Sequence, residues 1–260
     1  MQHPTRDNKP IWLVTGILVV VAVTLVLIFS SNGPAMEVSA HANPVFGPAC
    51  GKATMDGNVQ TAEWSGASKK TFLMVSGSAT TTFTTTLYVM NSGNYLYLGI
   101  TINDNEFTTY GEFLSQGDGF RIDFDNDHSG SVEGLNDDVL VISAGSPQFH
   151  DSYVYNLSGS SGSDTSGGGT LDGSGAASRI NNLNHFELRH PLCSGDTLDF
   201  CLHPANVVGV RLEYLDAQAD HSFGGTQFYP GTSDTSLADI VIASCSSISD
   251  MYTYLPLLRR

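Results

Sequence analysis

Basic residues are scarce in this sequence. Only 11 Lys and Arg accompany 26 Asp and Glu in 260 residues, so the net charge is −15. A surface this acidic repels nucleic acid and favours cations. The sequence also lacks a nucleophile elbow, a metal-catalytic His pair and a phosphate-binding loop, and no pattern places two carboxylates as acid and base. We therefore predict a non-catalytic protein without a nucleic-acid partner.

Cysteine is also rare. The four cysteines include no C-x-x-C pair, which argues against a zinc site. An even number of cysteines outside the cell is read as a set of disulfides, and four cysteines allow three pairings. We predict Cys193–Cys201, which closes a short segment, and Cys50–Cys245, which joins the first strand of the domain to the last.

A long apolar run occupies residues 11–29 and carries no charge. As a helix, this run spans about 28 Å, close to the hydrocarbon thickness of a bilayer. Two basic residues precede it and none follows before Lys52, so the positive-inside rule leaves residues 1–10 in the cytoplasm. We predict a single-pass signal anchor with the main domain outside the cytoplasm. A cleaved signal peptide ending near Ala42 is the alternative.

Helical periodicity is absent after residue 30, where no stretch keeps an apolar period of 3.6 for ten residues. Residues 30–49 contain several prolines and read as a linker. Beyond them, short runs rich in β-branched and aromatic residues alternate with turn residues. About nine such runs predict an all-β domain over residues 50–245, a two-sheet antiparallel β-sandwich of jelly-roll or immunoglobulin-like architecture. A closed barrel is the alternative, and residues 246–260 are a C-terminal tail.

A low-complexity stretch, Ser158–Thr170, is rich in Gly and Ser and predicts a surface loop in which nothing packs. The sequon Asn156-Leu157-Ser158 lies beside it. An exterior loop suits such a modification, so Asn156 is a candidate glycosylation site.

The most informative stretch is FDNDHSGSVEGLNDD, residues 124–138, which places acidic and hydroxyl side chains at alternate positions around a glycine. Ca²⁺ takes several oxygen ligands, and this spacing in a tight loop lets carboxylates converge on one ion. We predict a structural calcium loop between two strands. Its candidate ligands are Asp125, Asp127, Ser129, the carbonyl of Ser131, Glu133, and Asn136 or Asp137. The alternative is an Asx-rich turn that binds no ion.

Five segments in consistent order carry a family resemblance: DGNVQTAEWSGAS, NYLYLGITIND, GDGFRIDFDNDHSG, HFELRHPLCSGD and VVGVRLEYLDA. Together they resemble family 9 carbohydrate-binding modules and their DOMON-like relatives, over Asp56 to Ala243. The resemblance implies a two-sheet antiparallel sandwich. Members of these families bind sugars, bind haem b in redox proteins or serve as membrane-tethered modules, so the fold alone does not decide the function.

Sugar binding requires an exposed aromatic platform with polar neighbours. Trp64 belongs to the Glu-Trp motif of the resemblance, and we expect it in a core. The candidates in loop-like stretches are Tyr110, Phe113, Phe223, Phe228 and Tyr229. We predict a membrane-anchored extracytoplasmic module that binds carbohydrate, with a glycan as its partner.

Two other functions stay open. A haem-b electron-transfer module needs an axial Met, with a His or Lys in the same pocket. Met74, Met90, His185 and His190 are among the residues of these types. A non-catalytic structural or adhesion protein of the cell surface needs no such pair, and its partner is another surface protein.

Overall fold

The computed structural model describes residues 44–60, 62–79, 81–109, 117–156 and 158–245. These residues form fourteen strands, a 3₁₀ turn at Ala62–Trp64 and one short helix, α1 (Asp164–Gly167). The strands are β1 (Val45–Phe46), β2 (Ser68–Leu73), β3 (Val75–Ser76), β4 (Thr84–Asn91), β5 (Tyr95–Ile102), β6 (Gly119–Asp125), β7 (Asp138–Ser143), β8 (Phe149–Val154), β9 (Ser161–Ser163), β10 (Ser174–Ile180), β11 (Leu183–Pro191), β12 (Val207–Ala217), β13 (Phe223–Tyr229) and β14 (Ala238–Val241). The prediction of a β domain is confirmed.

The strands make two sheets. The large sheet runs in the order β1-β14-β12-β6-β7-β8-β9, and β13 pairs with β12 and with β3. The small sheet runs in the order β10-β11-β5-β4-β2. Among the described strands, every pairing is antiparallel except that of β1 with β14. This arrangement is the predicted two-sheet antiparallel sandwich.

The main hydrophobic core joins the two sheets because alternate residues of a strand point to the same side. Alternate residues of β5 in the small sheet and β6 in the large sheet belong to one buried cluster: Leu96, Leu98, Ile100, Ile102, Phe120, Ile122 and Phe124. Burying one such side chain contributes roughly 1.5–3 kcal/mol to folding.

The segment before β2 covers the other side of the small sheet. Trp64 is buried there with Val59, Met90 and Tyr97. A Cβ atom at Gly99 would lie 3.0 Å from the Trp64 ring, so a larger residue in β5 would push the indole away. The expectation that Trp64 lies in a core is confirmed.

Glu187 of β11 holds this segment in place. Its Oε2 accepts hydrogen bonds from the backbone N–H groups of Asp56, Gly57 and Asn58 at 3.1, 2.7 and 3.1 Å, and its Oε1 accepts one from Trp64 Nε1 at 2.7 Å. Burial raises the pKa of Glu187, and the donors act against that rise. Glu187 therefore joins the segment before β2 to β11, although the two are distant in sequence.

The sequence does not predict the strands β10 and β13. Small residues allow β10 to approach β11 closely, since a Cβ atom at Gly175 would lie 2.7 Å from the Glu187 carbonyl oxygen. β13 pairs with β12 along Leu212–Ala217, with a register shift near its start. The stretch that contains Phe223, Phe228 and Tyr229 is therefore mostly a strand, and the loop predicted there is wrong.

The expectation that nothing packs in Ser158–Thr170 is also wrong. β9 pairs with β8 at the end of the large sheet, and α1 follows directly. The side chain of Asp164 in α1 is fully buried. This Gly- and Ser-rich stretch therefore places one carboxyl group, that of Asp164, in the interior of the domain.

The predicted anchor, residues 11–29, lies outside the described residues, as do the tail and most of the linker. Within the part of the chain that the structure describes, no helix is long and apolar enough to cross a membrane. The anchor stays a prediction.

Both predicted disulfides are present. Cys50–Cys245 joins residues 195 positions apart, whereas Cys193–Cys201 joins residues 8 positions apart. Asn91 reinforces the first bond, because its side chain exchanges hydrogen bonds with the backbone of Ala243 and its own backbone N–H donates to Ala49. The disulfide and Asn91 therefore hold the first and last described segments of the domain together next to the end of β4.

We expect unequal effects from removing the two disulfides. In the entropic model, the long loop closed by Cys50–Cys245 contributes about 5 kcal/mol and the short loop about 2–3 kcal/mol. The Cys50→Ser/Cys245→Ser variant should therefore unfold at a clearly lower urea concentration than Cys193→Ser/Cys201→Ser, measured by fluorescence without reductant. Equal losses in the two variants would contradict this account.

Candidate functional site

The acidic loop between β6 and β7 brings three predicted ligands together. One carboxylate oxygen from each of Asp125, Asp127 and Asp137 lies within 4.8 Å of the others. Oxygens on opposite sides of a Ca²⁺ ion, each about 2.4 Å away, are separated by about 4.8 Å, so this spacing is compatible with one ion. Gly130 has a φ of 86°, and its N–H donates to Asp125 Oδ2 at 2.8 Å.

Burial and the charge of neighbouring carboxylates both act on the two buried groups of this set, Asp125 and Asp137. Burial raises the pKa of Asp137 to about 7; hydrogen bonds from two backbone N–H groups lower it, and the charges of Asp125 and Asp127 raise it. The pKa of Asp125 is also raised, first by burial and further by Asp127. Without a cation, ionisation of Asp125 and Asp137 is therefore opposed.

The front of the loop also holds the predicted serines. The Ser129 N–H donates to Asp125 Oδ1 at 2.8 Å, and the Ser129 hydroxyl donates to the Ser131 carbonyl at 3.3 Å. Glu133 stands apart from this arrangement, because the carboxyl group that acts most on it is Asp234, and burial together with Asp234 raises its pKa.

At the end of the loop, the structure distinguishes between the two predicted ligands, Asn136 and Asp137. Asn136 is exposed, has a left-handed φ of 69°, and uses its carbonyl to accept a hydrogen bond from the Asn126 side chain. Asp137 is buried and belongs to the group with Asp125 and Asp127. Asp137 is therefore the candidate ligand at this position.

The predicted aromatic platform does not form at β13. Tyr229 is only 6% exposed, and its ring stacks on that of Phe72 with centroids 3.4 Å apart. The expectation that Tyr229 lies exposed in a loop is therefore wrong, because the ring faces the core. The Arg211 guanidinium lies 5.5 Å from the centroid of Phe228, which is partly buried.

Of the three remaining aromatic candidates, the structure describes one. Phe223 is 52% exposed at the beginning of β13. Tyr110 and Phe113 lie outside the described residues, so their role stays a prediction.

A cleft lies at one end of the small sheet, where β5 begins and β11 ends. Its volume is about 360 Å³. Its lining comes from the turn before β5, the loop closed by the short disulfide, the segment after that loop and the segment before β10: Gly93, Asn94, Tyr95, Asp172, Pro191, Leu192, Cys193, Ser194, Leu202, His203 and Pro204. We call it the Tyr95 cleft.

The Tyr95 cleft combines an aromatic ring with polar groups. Tyr95 is partly exposed, and the Arg189 guanidinium lies 5.3 Å from its ring centroid. Asn94 and His203 are exposed, and Asp172 is partly buried. An apolar ring beside a few hydrogen-bonding side chains is the lining that small-molecule sites use.

Sequence reasoning missed this cleft. Tyr95 reads as the first residue of an alternating strand, and nothing in its own stretch distinguishes it from a core tyrosine. The strand register provides the missing information, because it pairs Tyr95 with Pro191 and so places the two elements at one edge. The hairpin turn before Tyr95 is the one local signal that indicates an exposed end.

The candidate haem ligands lie in different surroundings. Met74 belongs to the main core, whereas Met90 packs with Trp64 in the separate cluster. His185 Nδ1 accepts a hydrogen bond from the Val59 N–H at 3.2 Å, and burial lowers its pKa. Met74 and Met90 therefore lie in separate apolar clusters, and Nδ1 of His185 is occupied by a backbone hydrogen bond.

The candidate glycosylation residue, Asn156, lies in a tight turn. Its Oδ1 accepts hydrogen bonds from the N–H groups of Ser158 and Ser160 at 3.0 and 3.1 Å. The side chain thereby stabilises the connection between β8 and β9, and its glycosylation stays a prediction.

The fold of this chain is similar to that of solved structures with little sequence identity to it. The chain is similar to a family 9 carbohydrate-binding module from Caldicellulosiruptor kristjanssonii in complex with cellotriose, with a TM-score of 0.55 and 14% identity over 82% of this chain and 100% of that one. A second structure of such a module from the same organism, in complex with glucose, gives 0.54 and 15% over 78% and 97%. No family model and no curated protein matches the chain. These similarities concern the fold, a two-sheet antiparallel β-sandwich.

A second group of buried carboxyl groups, Asp104, Asp118 and Asp216, lies at the other end of β12. Asp118 accepts hydrogen bonds from the N–H groups of Thr108 and Ala217, both at 2.9 Å. Burial raises the pKa of Asp118 to about 7; the two hydrogen bonds lower it, and Asp104 and Asp216 raise it. This carboxyl group has donors, yet it is harder to ionise than in water.

The raised pKa of Asp118 predicts a pH-dependent stability. Because its folded pKa exceeds the unfolded value, the folded state takes up the proton first as the pH falls below 7, and the free energy of unfolding rises. Between pH 7.5 and 5, in EDTA, the wild type should gain up to about 2–3 kcal/mol relative to Asp118→Asn. Urea titrations at several pH values measure this difference.

The matched control is Asp220→Asn, which alters an exposed carboxyl group. Its stability should follow the pH profile of the wild type. Parallel profiles for Asp118→Asn and the wild type would show that Asp118 does not take up the proton.

Proposed function

We propose that this protein is a non-catalytic module that binds glycans in the Tyr95 cleft. The observation that carries the proposal is the cleft itself, in which a partly exposed tyrosine ring lies beside Asn94, Asp172 and His203. Sugars present C–H faces that pack on aromatic rings, and hydroxyl groups that need hydrogen-bonding partners. The volume of about 360 Å³ lies in the range of small-ligand sites.

The likeness in fold supports the same proposal. The two similar modules were solved with cellotriose and with glucose. The chemistry of the Tyr95 cleft suits a short oligosaccharide of that kind, because its walls offer both apolar and polar groups. The ligand class in this proposal is therefore a neutral glucan end or short oligosaccharide.

The acidic loop has a structural role in this proposal. A Ca²⁺ ion held by Asp125, Asp127 and Asp137, with the Ser131 carbonyl nearby, would neutralise the repulsion within the loop. The ion would fix the connection between β6 and β7. It would not contact the sugar, because no residue of the loop lines the Tyr95 cleft.

The location proposed for the module is the outer side of a membrane. The two disulfides are the support for an oxidising compartment. The apolar run at residues 11–29 would hold the module at the surface as a single-pass anchor, with residues 1–10 in the cytoplasm.

Glycan binding is tested by isothermal titration of the purified full chain with cellotriose and with glucose. Tyr95→Ala should weaken binding about tenfold, since losing one ring contact costs about 1–1.5 kcal/mol. Asn94→Ala should weaken it less, because one polar contact at an exposed position contributes less.

The matched control is Phe223→Ala, which removes an exposed ring outside the Tyr95 cleft. This variant should bind like the wild type. Wild-type protein that binds neither sugar, or a Tyr95→Ala variant with unchanged affinity, would overturn the assignment of the cleft.

The calcium loop is tested by thermal unfolding in EDTA and in millimolar Ca²⁺. At a hundredfold excess over Kd, one bound ion stabilises the folded state by about 2.7 kcal/mol, which is roughly 5–10 °C. Asp125→Ala/Asp127→Ala should lose this part of the calcium-dependent rise in Tm, whereas Asp220→Asn should keep it. An equal rise in the loop variant and the wild type would leave the loop as an Asx-rich turn.

A further inference from the structure

A third acidic group lies inside the domain, distinct from the acidic loop and from Asp104, Asp118 and Asp216. It contains Asp138 at the start of β7, Asp151 in β8, Asp164 in α1, His190 in β11 and Asp199 in the loop closed by Cys193–Cys201. The first four side chains are at most 3% exposed, and Asp199 is 7% exposed. We call these five residues the buried acidic cluster.

The spacing within the buried acidic cluster fits an ion. Oxygens of Asp151, Asp164 and Asp199 lie within 4.8 Å of one another, and ligand atoms of Asp138, His190 and Asp199 do so as well. Because ligands on opposite sides of a Ca²⁺ ion are about 4.8 Å apart, each group has the spread of one coordination shell. Asp199 belongs to both groups and so connects them.

The oxygens of this cluster have too few hydrogen-bond donors. Both carboxylate oxygens of Asp164 and both of Asp199 accept no hydrogen bond, and neither do Oδ1 of Asp138 and Oδ1 of Asp151. A buried carboxylate without partners costs several kcal/mol. Glu187 is the contrasting case. Its buried carboxylate accepts four N–H hydrogen bonds and therefore needs no ion.

His190 does not balance the charge. Its Nδ1 lies 2.9 Å from the carbonyl oxygen of Pro191, which only accepts, so Nδ1 carries a proton. Its Nε2 lies 3.5 Å from one oxygen each of Asp151 and Asp199. Even a fully protonated imidazole brings one positive charge against four carboxyl groups.

We propose that the buried acidic cluster binds one divalent cation, with Asp151, Asp164 and Asp199 as oxygen ligands. Asp138 and His190 complete its surroundings. Carboxylate oxygens are the ligands of hard cations, so Ca²⁺ is the ion we assign. The ion connects β7, β8, α1, β11 and the disulfide-closed loop, which come from both sheets and from the Gly/Ser-rich stretch.

This site lies behind one wall of the Tyr95 cleft. The Asp172 N–H donates to Asp151 Oδ2 at 2.8 Å, and Asp172 also lines the cleft. Ser194, another residue of the lining, shares its disulfide-closed loop with Asp199. The ion therefore holds backbone that shapes the cleft, although its binding does not depend on a sugar being bound there.

The test is native mass spectrometry of the full chain, stripped with EDTA and then equilibrated with Ca²⁺ alone. Asp125→Ala/Asp127→Ala leaves the buried acidic cluster intact and should retain one ion. Asp164→Asn/Asp199→Asn, with near-identical side-chain volumes, should carry one ion fewer than the wild type. Asp220→Asn is the control and should match the wild type.

Each result decides between the two ion sites. A loop variant that takes up no Ca²⁺, or an Asp164→Asn/Asp199→Asn variant with the wild-type number of ions, overturns the buried site. If the wild type binds one ion and only the Asp164→Asn/Asp199→Asn variant loses it, the buried site holds and the calcium loop fails. If the cluster variant does not fold, the loop variant can still overturn the proposal, because a loop variant that takes up no Ca²⁺ excludes the buried site.

Discussion

Buried negative charge is the constraint on which the rest of this structure depends. Twelve Asp and Glu side chains are buried among the described residues of a chain whose net charge is −15. Each requires donors, a neighbouring cation or a proton, because an uncompensated charge in the interior costs several kcal/mol. Glu187 has four N–H donors, and Asp123 lies between Arg121 and Arg211. Asp164 has no such partner, which is why an ion is the compensation we infer there.

Local patterns predict much of this fold because their signals lie within a few residues. Alternation in β5 and β6 indicates half-buried strands, and the glycine and alternate acids of the acidic loop indicate that its front carboxylates converge. The positions of the cysteines allow three pairings and favour the two disulfides that are present. β10 escapes prediction because Gly and Ala have low strand propensity, and at Gly175 a side chain would meet the Glu187 carbonyl oxygen.

The sites that the sequence does not reveal depend on register and long-range pairing. The buried acidic cluster draws on residues from Asp138 to Asp199, in five elements, and no short window contains more than two of them. Asp164 lies in a Gly/Ser-rich stretch whose composition predicts a mobile loop. Tyr229 illustrates the opposite error, since a strand that contains two adjacent glycines reads as a loop and its aromatic residues then read as exposed.

Two consecutive residues, Asp137 before β7 and Asp138 at its start, connect the acidic loop with the buried acidic cluster. Asp137 belongs to the acidic loop, whereas Asp138 belongs to the buried acidic cluster, so one peptide unit is shared by both sites. A binding site needs lining residues that are already in position, because ordering them on binding opposes affinity. Part of the lining of the Tyr95 cleft comes from the segment before β10 and from the disulfide-closed loop, and Asp151 accepts a hydrogen bond from the N–H of Asp172 in the first of them. The ion that we propose in the buried acidic cluster would help to keep these two segments in place, because Asp151 contacts one of them and Asp199 lies in the other.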